Sequence, residues 1–138
     1  TSFIRLYENL HKRRGGRLDT HLADEIDMLH NRVCTALGDP KRVMLLYILA
    51  GKPRNVTDLA AELDVPQPTL SRHLSILRER SLVKAQREGT SVYYSLADQR
   101  VIDALDLLRA LVRDQIHAEA HLADFAALDA QRAHSDEA

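Results

Sequence analysis

Apolar side chains recur at helical spacing toward both ends of the chain. The first seam falls within residues 21–37 and consists of Leu22, Ile26, Leu29, Val33 and Leu37. Steps of three or four residues predict a helix there, and Gly38-Asp39-Pro40 ends it. Residues 99 to about 130 predict one long helix, whose seam consists of Val101, Leu105, Leu108, Val112 and Ile116.

Shorter helices are predicted between these two. Residues 41–50 form a largely buried helix that ends at Gly51-Lys52-Pro53. The next helix is capped by Asn55 or Thr57, since either side-chain oxygen can accept a free backbone N–H. After a three-residue turn, Pro66 and Pro68 fit only at or near the first turn of a further helix. Its inner face consists of Leu70, Leu74 and Leu77, with His73 at the edge.

Around Glu88-Gly89-Thr90 the period changes from 3.6 to 2, which predicts a β-hairpin. Val92, Tyr94 and Leu96 then share one face. A helix-turn-helix followed by a hairpin is a winged helix-turn-helix. The pattern therefore predicts a mainly α fold with a small β-hairpin wing over residues 21–132, with flanking dimerisation helices. Residues 1–20 are expected to be a basic arm, either disordered or foreign to the native protein or in contact with DNA, and 133–138 a disordered tail.

Local charge favours nucleic acid although the net charge of the chain is only −1. Residues 40–90 hold nine Lys and Arg against five Asp and Glu, whereas residues 91–138 hold four against nine. Positive charge concentrated on the helix-turn-helix and hairpin is typical of phosphate contact. A winged helix that binds only protein is the alternative class.

Composition excludes several other classes. No stretch approaches the roughly 20 apolar residues of a membrane span, and no signal peptide is visible. The single cysteine rules out an intramolecular disulfide framework and suits a reducing cytoplasm, where we expect the protein to be. Without a Gly-rich phosphate loop or nucleophile motif, we expect no enzyme.

The second helix of the motif presents a polar outer face for reading double-stranded DNA. Arg72 can bind guanine O6 and N7 in bidentate fashion, and Gln67 can pair with adenine. The predicted recognition residues are Gln67, Pro68, Thr69, Ser71, Arg72 and Ser75. On the wing, Lys84, Arg87 and Thr90 are predicted to meet the DNA backbone.

The two terminal helices carry apolar stripes that so small a domain cannot cover alone. A symmetric homodimer would cover them and supply two recognition helices for two half-sites. The predicted interface residues are Leu22, Ile26, Leu29, Val33, Leu105, Leu108, Val112 and Ile116.

Three segments resemble the ArsR/SmtB family of bacterial repressors. They are residues 37–42 (Leu-Gly-Asp-Pro-Lys-Arg), 67–78 (Gln-Pro-Thr-Leu-Ser-Arg-His-Leu-Ser-Ile-Leu-Arg) and 88–96 (Glu-Gly-Thr-Ser-Val-Tyr-Tyr-Ser-Leu). The resemblance implies a repressor that binds an inverted-repeat operator as a dimer, through first and last helices, and leaves DNA when an inducer binds. Family inducers include metal ions, arsenicals and oxidising sulfur species.

The known sensor sites of the family do not carry over. Residues 55–58 lack the cysteines of the arsenical and cadmium sensors, and only Asp98 matches the four zinc and nickel positions on the last helix. Asp114, His117 and His121 remain candidates for zinc, nickel or cobalt, against a solvated helix face. Cys34 is a redox candidate, against a packed and inert cysteine. A regulator without a metal inducer stays open.

Overall fold

In a computed structural model, the chain is described at Arg5 and at residues 18–136, with backbone alone at 18–20. Most of the predicted arm over 1–20, and the last two residues of the predicted tail, therefore lie outside the described residues. The chain divides between Ala97 and Asp98 into two compact units, which are described separately. The sequence prediction had joined them in one domain over 21–132.

The predicted first helix is helical throughout but not uniform. It comprises α1 (Leu18–Leu29), a π-helical turn (His30–Cys34) and α2 (Thr35–Leu37). The following helix, α3 (Pro40–Gly51), starts where the carboxylate of Asp39 accepts the N–H of Lys41 at 2.9 Å. Pro40 occupies the first turn, where its missing N–H costs no hydrogen bond.

The helix-turn-helix consists of α4 (Val56–Leu63) and α5 (Gln67–Glu79), preceded by the short strand β1 (Arg54–Asn55). Of the two predicted caps, Asn55 is the one used: its side-chain oxygen accepts the N–H of Asp58 at 2.7 Å. Asp64 takes a left-handed conformation, φ 52°, and ends α4. Asp tolerates this region better than most residues, which permits the tight turn into α5.

The wing consists of β2 (Val83–Glu88) and β3 (Ser91–Leu96), paired antiparallel from Val83 opposite Leu96 to Glu88 opposite Ser91. Gly89 opens the turn at φ 62°, a conformation that favours glycine. The two residues of β1 pair with Tyr93 and Tyr94, giving the order β1-β3-β2. This third strand was not predicted.

The core of this unit is built from leucines on three helices. α3 packs against α5 and β3, and α4 packs against α5. Burying a leucine stabilises a fold by about 1.5–3 kcal/mol. The buried helical positions are Leu45, Leu46, Leu49, Leu59, Leu70, Leu74 and Leu77, and the sheet adds Val83 and Tyr94. The predicted inner face of α5 is thus confirmed.

The second unit is dominated by one helix, α6 (Arg100–Asp136). At 1.5 Å per residue its 37 residues span about 55 Å. It continues through 133–136, where the sequence predicted a tail without structure. Within the described residues, no helix combines the length and apolarity that crossing a bilayer requires.

Candidate nucleic-acid interface

The outer face of α5 carries the residues predicted to read bases. Because positions three or four apart share a helix face, burial of Leu70, Leu74 and Leu77 turns the polar side outward. All six predicted residues are at least partly exposed, namely Gln67, Pro68, Thr69, Ser71, Arg72 and Ser75. Their exposure makes them available to a ligand, and their role in base reading stays a prediction.

Two cations that the sequence predicts together as DNA-backbone contacts lie on opposite faces of the wing. Successive side chains of a strand point to opposite faces, so Lys84 and Arg87, three positions apart in β2, point opposite ways. The residues opposite them in β3 are Ser95 and Val92. Arg87 therefore shares the face of Tyr94, which is buried, whereas Lys84 lies on the other face. Both cations are exposed, as is Thr90 in the turn.

A cleft of about 300 Å³ lies between the beginning of α4, the beginning of α5 and the wing. Val92 and Tyr94 contribute apolar wall on the face that Arg87 shares. The polar lining consists of Asn55, Thr57, Gln67, Ser71, Thr90 and Ser91. Three predicted DNA contacts, Gln67, Ser71 and Thr90, are thus brought together around one concave surface.

Two arginines of the positive segment have structural partners. Arg54 pairs with Glu62 of α4, which ties β1 to the helix that follows it. The Arg42 guanidinium donates from Nε to the Ala36 carbonyl at 2.5 Å, satisfying a carbonyl near the end of α2. Part of the excess charge read from the sequence therefore stabilises the fold. The exposed cations of α5 and the wing are Arg72, Arg78, Lys84 and Arg87.

His73 of the recognition helix is a core residue. It is 5% exposed, and neither ring nitrogen has a hydrogen-bond partner among the described protein atoms. Its Nδ1 lies 4.0 Å from Oδ2 of Asp39 at the start of α3. Burial lowers the pKa of His73 below its ordinary 6.5, although the Asp39 carboxylate opposes this. The sequence predicts His73 at the edge of the inner face of α5, and the structure places it in the core.

The structure gives little support to a metal site within one chain. Among the described residues, no three His, Cys, Asp or Glu side chains are grouped to hold a metal ion. Asp114 and His121 are about 10 Å apart along α6, and both are exposed, as is His117. These residues do not form a three-ligand site for zinc, nickel or cobalt, and metal binding by them stays a prediction.

Asp98, the one position matching the metal sensors, has a different role here. Its Oδ1 accepts the N–H of Arg100 at 2.9 Å, at the start of α6. Its Oδ2 also accepts from the Arg100 guanidinium at 2.7 Å. The same carboxylate raises the pKa of Arg100 above its ordinary value. Asp98 thus stabilises the start of the helix.

Cys34 ends the π-helical turn and is exposed as a free thiol. Cys34 is therefore not packed in the single chain, and whether its thiol is inert stays open. A redox role stays a prediction.

The predicted interface positions are mostly uncovered in the single chain. On α1, Leu22, Ile26 and Leu29 are exposed, and Val33 in the π-helical turn is half-buried. On α6, Leu108 is 56% exposed, and Val112 and Ile116 are similarly open. Leu105 differs, because it is 9% exposed and belongs to the interior of the protomer.

Sequence reasoning missed three features of the cleft. The sequence predicts Thr57 only as a possible helix cap, gives no role to Ser91, and does not place Asn55 near the wing. The signal that was available is the clustering of hydroxyl and amide residues where consecutive elements begin. Their convergence depends on β1, which is too short for a periodicity to predict.

The comparisons with known proteins agree with this arrangement. A family model described as bacterial regulatory protein, arsR family, matches residues 39–85. An HTH-type transcriptional regulator of Methanocaldococcus jannaschii is 43% identical over 77 residues, covering 55% of this chain and 86% of that protein. A transcriptional repressor of Synechocystis, an SmtB homolog, is 46% identical over 69 residues, covering 50% of this chain but only 52% of the repressor.

Solved structures give the same fold. A homodimeric winged helix-turn-helix DNA-binding domain of Mycobacterium bovis, described as a possible ArsR-family regulator, superimposes with a TM-score of 0.60. Its identity to this chain is 31%, over 68% of this chain and 86% of that domain. The matched segments and the shared fold show that this chain belongs to the ArsR/SmtB family of winged helix-turn-helix transcriptional regulators.

Proposed function

We propose that the protein is a repressor that binds an inverted-repeat operator as a homodimer and is released by an inducer. The observation that carries this proposal is the exposed polar face of α5, which holds Gln67 and Arg72 beside the cationic wing. A helix of this kind fits the major groove, where donors and acceptors distinguish all four base pairs. A cytoplasmic location belongs to the proposal, because bacterial repressors bind their DNA in that compartment.

Apolar surface that the protomer leaves open supports the proposed homodimer. The exposed stripes of α1 and α6 are apolar surfaces of the kind that usually mark an interaction site. The Mycobacterium bovis relative is homodimeric. Two copies would present two α5 helices, and the spacing of half-sites would follow from the distance between them.

Release by an inducer rests on the family resemblance. Within one protomer the described residues bring no metal-ligand set together. We therefore assign no step to a metal, and the inducer stays a prediction.

Replacing Arg72 with Ala tests the reading face. Operator affinity is expected to fall by about 1–3 kcal/mol, with relaxed preference at one base pair per half-site, because the bidentate contact to guanine is lost. An operator is first selected from random duplexes, and fluorescence anisotropy then compares it with scrambled DNA.

Arg78→Ala is the matched control. Arg78 is also an exposed arginine of α5, but it lies about 9 Å further along the helix, near its C-terminal end, whereas the N-terminal residues of a recognition helix contact the base edges. It should leave base preference unchanged. Equal losses on operator and scrambled DNA would make Arg72 a phosphate contact, and no loss for Arg72→Ala would place the reading face elsewhere.

A second variant tests the wing. Arg87→Ala should weaken binding to every duplex alike and reduce the salt slope by about one unit, because one counterion fewer is released. Lys84→Ala is the matched control, since Lys84 lies on the opposite face of the same strand and should change the slope less. Titrations of operator and scrambled DNA at several salt concentrations measure both. An unchanged slope for Arg87→Ala would show that the wing does not contact the backbone on this face.

A further inference from the structure

The cleft between α4, α5 and the wing has an unusual chemical character for a DNA-binding surface. It is concave, encloses about 300 Å³, and is lined by residues of β1, α4, α5, β3 and the wing turn. Among the described residues that line it, none carries a charge. The polar lining is made of side-chain hydroxyls and amides, so any hydrogen bond from this lining to a ligand comes from an uncharged side chain.

The available hydrogen-bond donors suit a phosphate group. A hydroxyl donates one hydrogen bond and an amide NH₂ donates two, and phosphate oxygens on DNA are often bound by Ser, Thr, Asn and Gln side chains. Thr57, Ser71 and Thr90 present hydroxyls from three different elements. Asn55 uses its oxygen to cap α4, which leaves its NH₂ as a donor. No lining carboxylate repels an anion.

The position of the cleft indicates that this phosphate would belong to the DNA backbone. Gln67 and Ser71 line it and also lie at the start of the predicted recognition face. Thr90 is in the wing turn, next to the strand that carries Arg87. An α5 helix placed in a major groove would therefore bring the cleft against the backbone that borders the groove.

We propose that the cleft holds one phosphodiester of the operator backbone, with Thr57 of α4 as a positioning residue that hydrogen-bonds it. This inference rests on the proposed function, because it requires DNA at α5. One phosphate would then contact α4, α5 and the wing together and fix the depth of α5 in the groove. Since Thr57 is neutral, its contact releases no counterion.

The effect of Thr57 should differ from that of a cationic contact. Thr57→Val keeps the shape but removes the hydroxyl, and should weaken binding to operator and scrambled DNA about tenfold, as for the loss of a hydrogen bond to a charged group. The salt slope should stay that of the unmodified protein. Thr57→Ser retains the hydroxyl and should restore affinity. Because Thr57 is exposed, neither variant should alter the circular dichroism spectrum.

The decisive experiment pairs these variants with chemically modified DNA. Single phosphates across a half-site are replaced one at a time by uncharged methylphosphonates, and affinity is measured for the full chain and for Thr57→Val. At one position the two losses should not add, because both changes remove the same hydrogen bond. Inorganic phosphate, added at constant ionic strength in place of chloride, is the second probe.

The outcomes separate the cleft from the proposed function. Failure of the unmodified protein to bind any selected duplex would end the proposed function. Normal operator binding with an unaffected Thr57→Val variant, or additive losses at every position, would overturn the phosphate site alone. Inhibition by inorganic phosphate that requires Thr57, together with additive losses, would assign the cleft to a free anion and likewise overturn it.

Discussion

Leu108→Asp is expected to convert the proposed homodimer into a monomer and to abolish high-affinity operator binding. In the single chain this side chain is 56% exposed, so an aspartate there should leave the protomer folded. In a dimer the same position would be buried and inaccessible to water. The substitution would lose about 1.5–3 kcal/mol of apolar burial per copy and add the cost of burying an unpaired carboxylate. Light scattering at micromolar protein measures the oligomeric state.

The adjacent Leu107 supplies the control. It is also exposed, but about 100° around the helix from Leu108, away from the stripe that includes Val112 and Ile116. Leu107→Asp should remain dimeric and bind operator. Dissociation by both variants alike would mean that any charge on this helix is harmful, and a monomeric unmodified protein would remove the dimer altogether. Circular dichroism confirms that each variant is folded.

The sequence pattern alone would have selected Leu105 for this experiment. It belongs to the same seam as Leu108, and helical periodicity cannot distinguish two neighbours of a seam. In the structure Leu105 is 9% exposed within the protomer. A charge there would damage folding and oligomerisation together, so its result could not be interpreted.

Helices α3, α4 and α5 were predictable because each combines an apolar pattern with a signal for where the helix starts. Asp39-Pro40 starts α3, Asn55 caps α4, and Pro66 precedes α5. The π-helical turn ending at Cys34 was not predictable, since one extra residue per turn hardly changes an apolar pattern. The two-residue strand β1 was missed for a different reason: its pairing with Tyr93 and Tyr94 is a long-range contact.

The candidate site was only partly predictable for a related reason. The polar face of α5 follows from the burial of its leucines, so Arg72 could be assigned to it from the sequence. The opposed directions of Lys84 and Arg87 also follow from strand alternation, once the strand is known to start at Val83. The cleft around Thr57 depends on how three elements converge, and no local pattern encodes that.

A second effect on stability is expected from acid, acting on His73. The charged groups that influence it are Asp39, which raises its pKa, and Arg42, Arg72 and Lys41, which lower it. Burial is the largest cause and also lowers the pKa, so the folded protein keeps His73 neutral below its ordinary value of 6.5. Helix α5 therefore packs into the core with an uncharged imidazole on its buried face.

The sign of the pH dependence follows from proton binding. Above about pH 6.5 the imidazole is neutral in both folded and unfolded chains and contributes nothing. As the pH falls below 6.5, the unfolded chain takes up a proton that the folded chain refuses, so the free energy of unfolding decreases. The decrease stops once the pH passes the folded pKa, because both chains then bind the proton. Asp39 affects stability only at lower pH, because its pKa is lowered from 3.8, chiefly by the Lys41 N–H.

His73→Leu should remove this acid sensitivity. Leucine fills the buried position without a titratable group, so the urea midpoint of the variant should stay nearly constant between about pH 7 and 5 while that of the unmodified protein falls. Operator affinity of the unmodified protein should also fall, once the pH is low enough for the domain to begin to unfold. His117→Leu is the matched control, since His117 is exposed on α6 and its removal should leave the pH dependence unchanged.

Asp39→Asn tests the electrostatic effect of the Asp39 carboxylate on His73. Asparagine can still cap α3 through its side-chain oxygen, but it no longer offers a carboxylate 4.0 Å from the imidazole. The pKa of His73 should then fall further, and the acid loss of stability should extend to lower pH. Urea titrations of both variants and the unmodified protein, run at matched ionic strength, compare midpoints across the same pH range. An unmodified protein whose midpoint does not change, or a His73→Leu variant that loses stability in parallel with it, would show that another group carries the acid response.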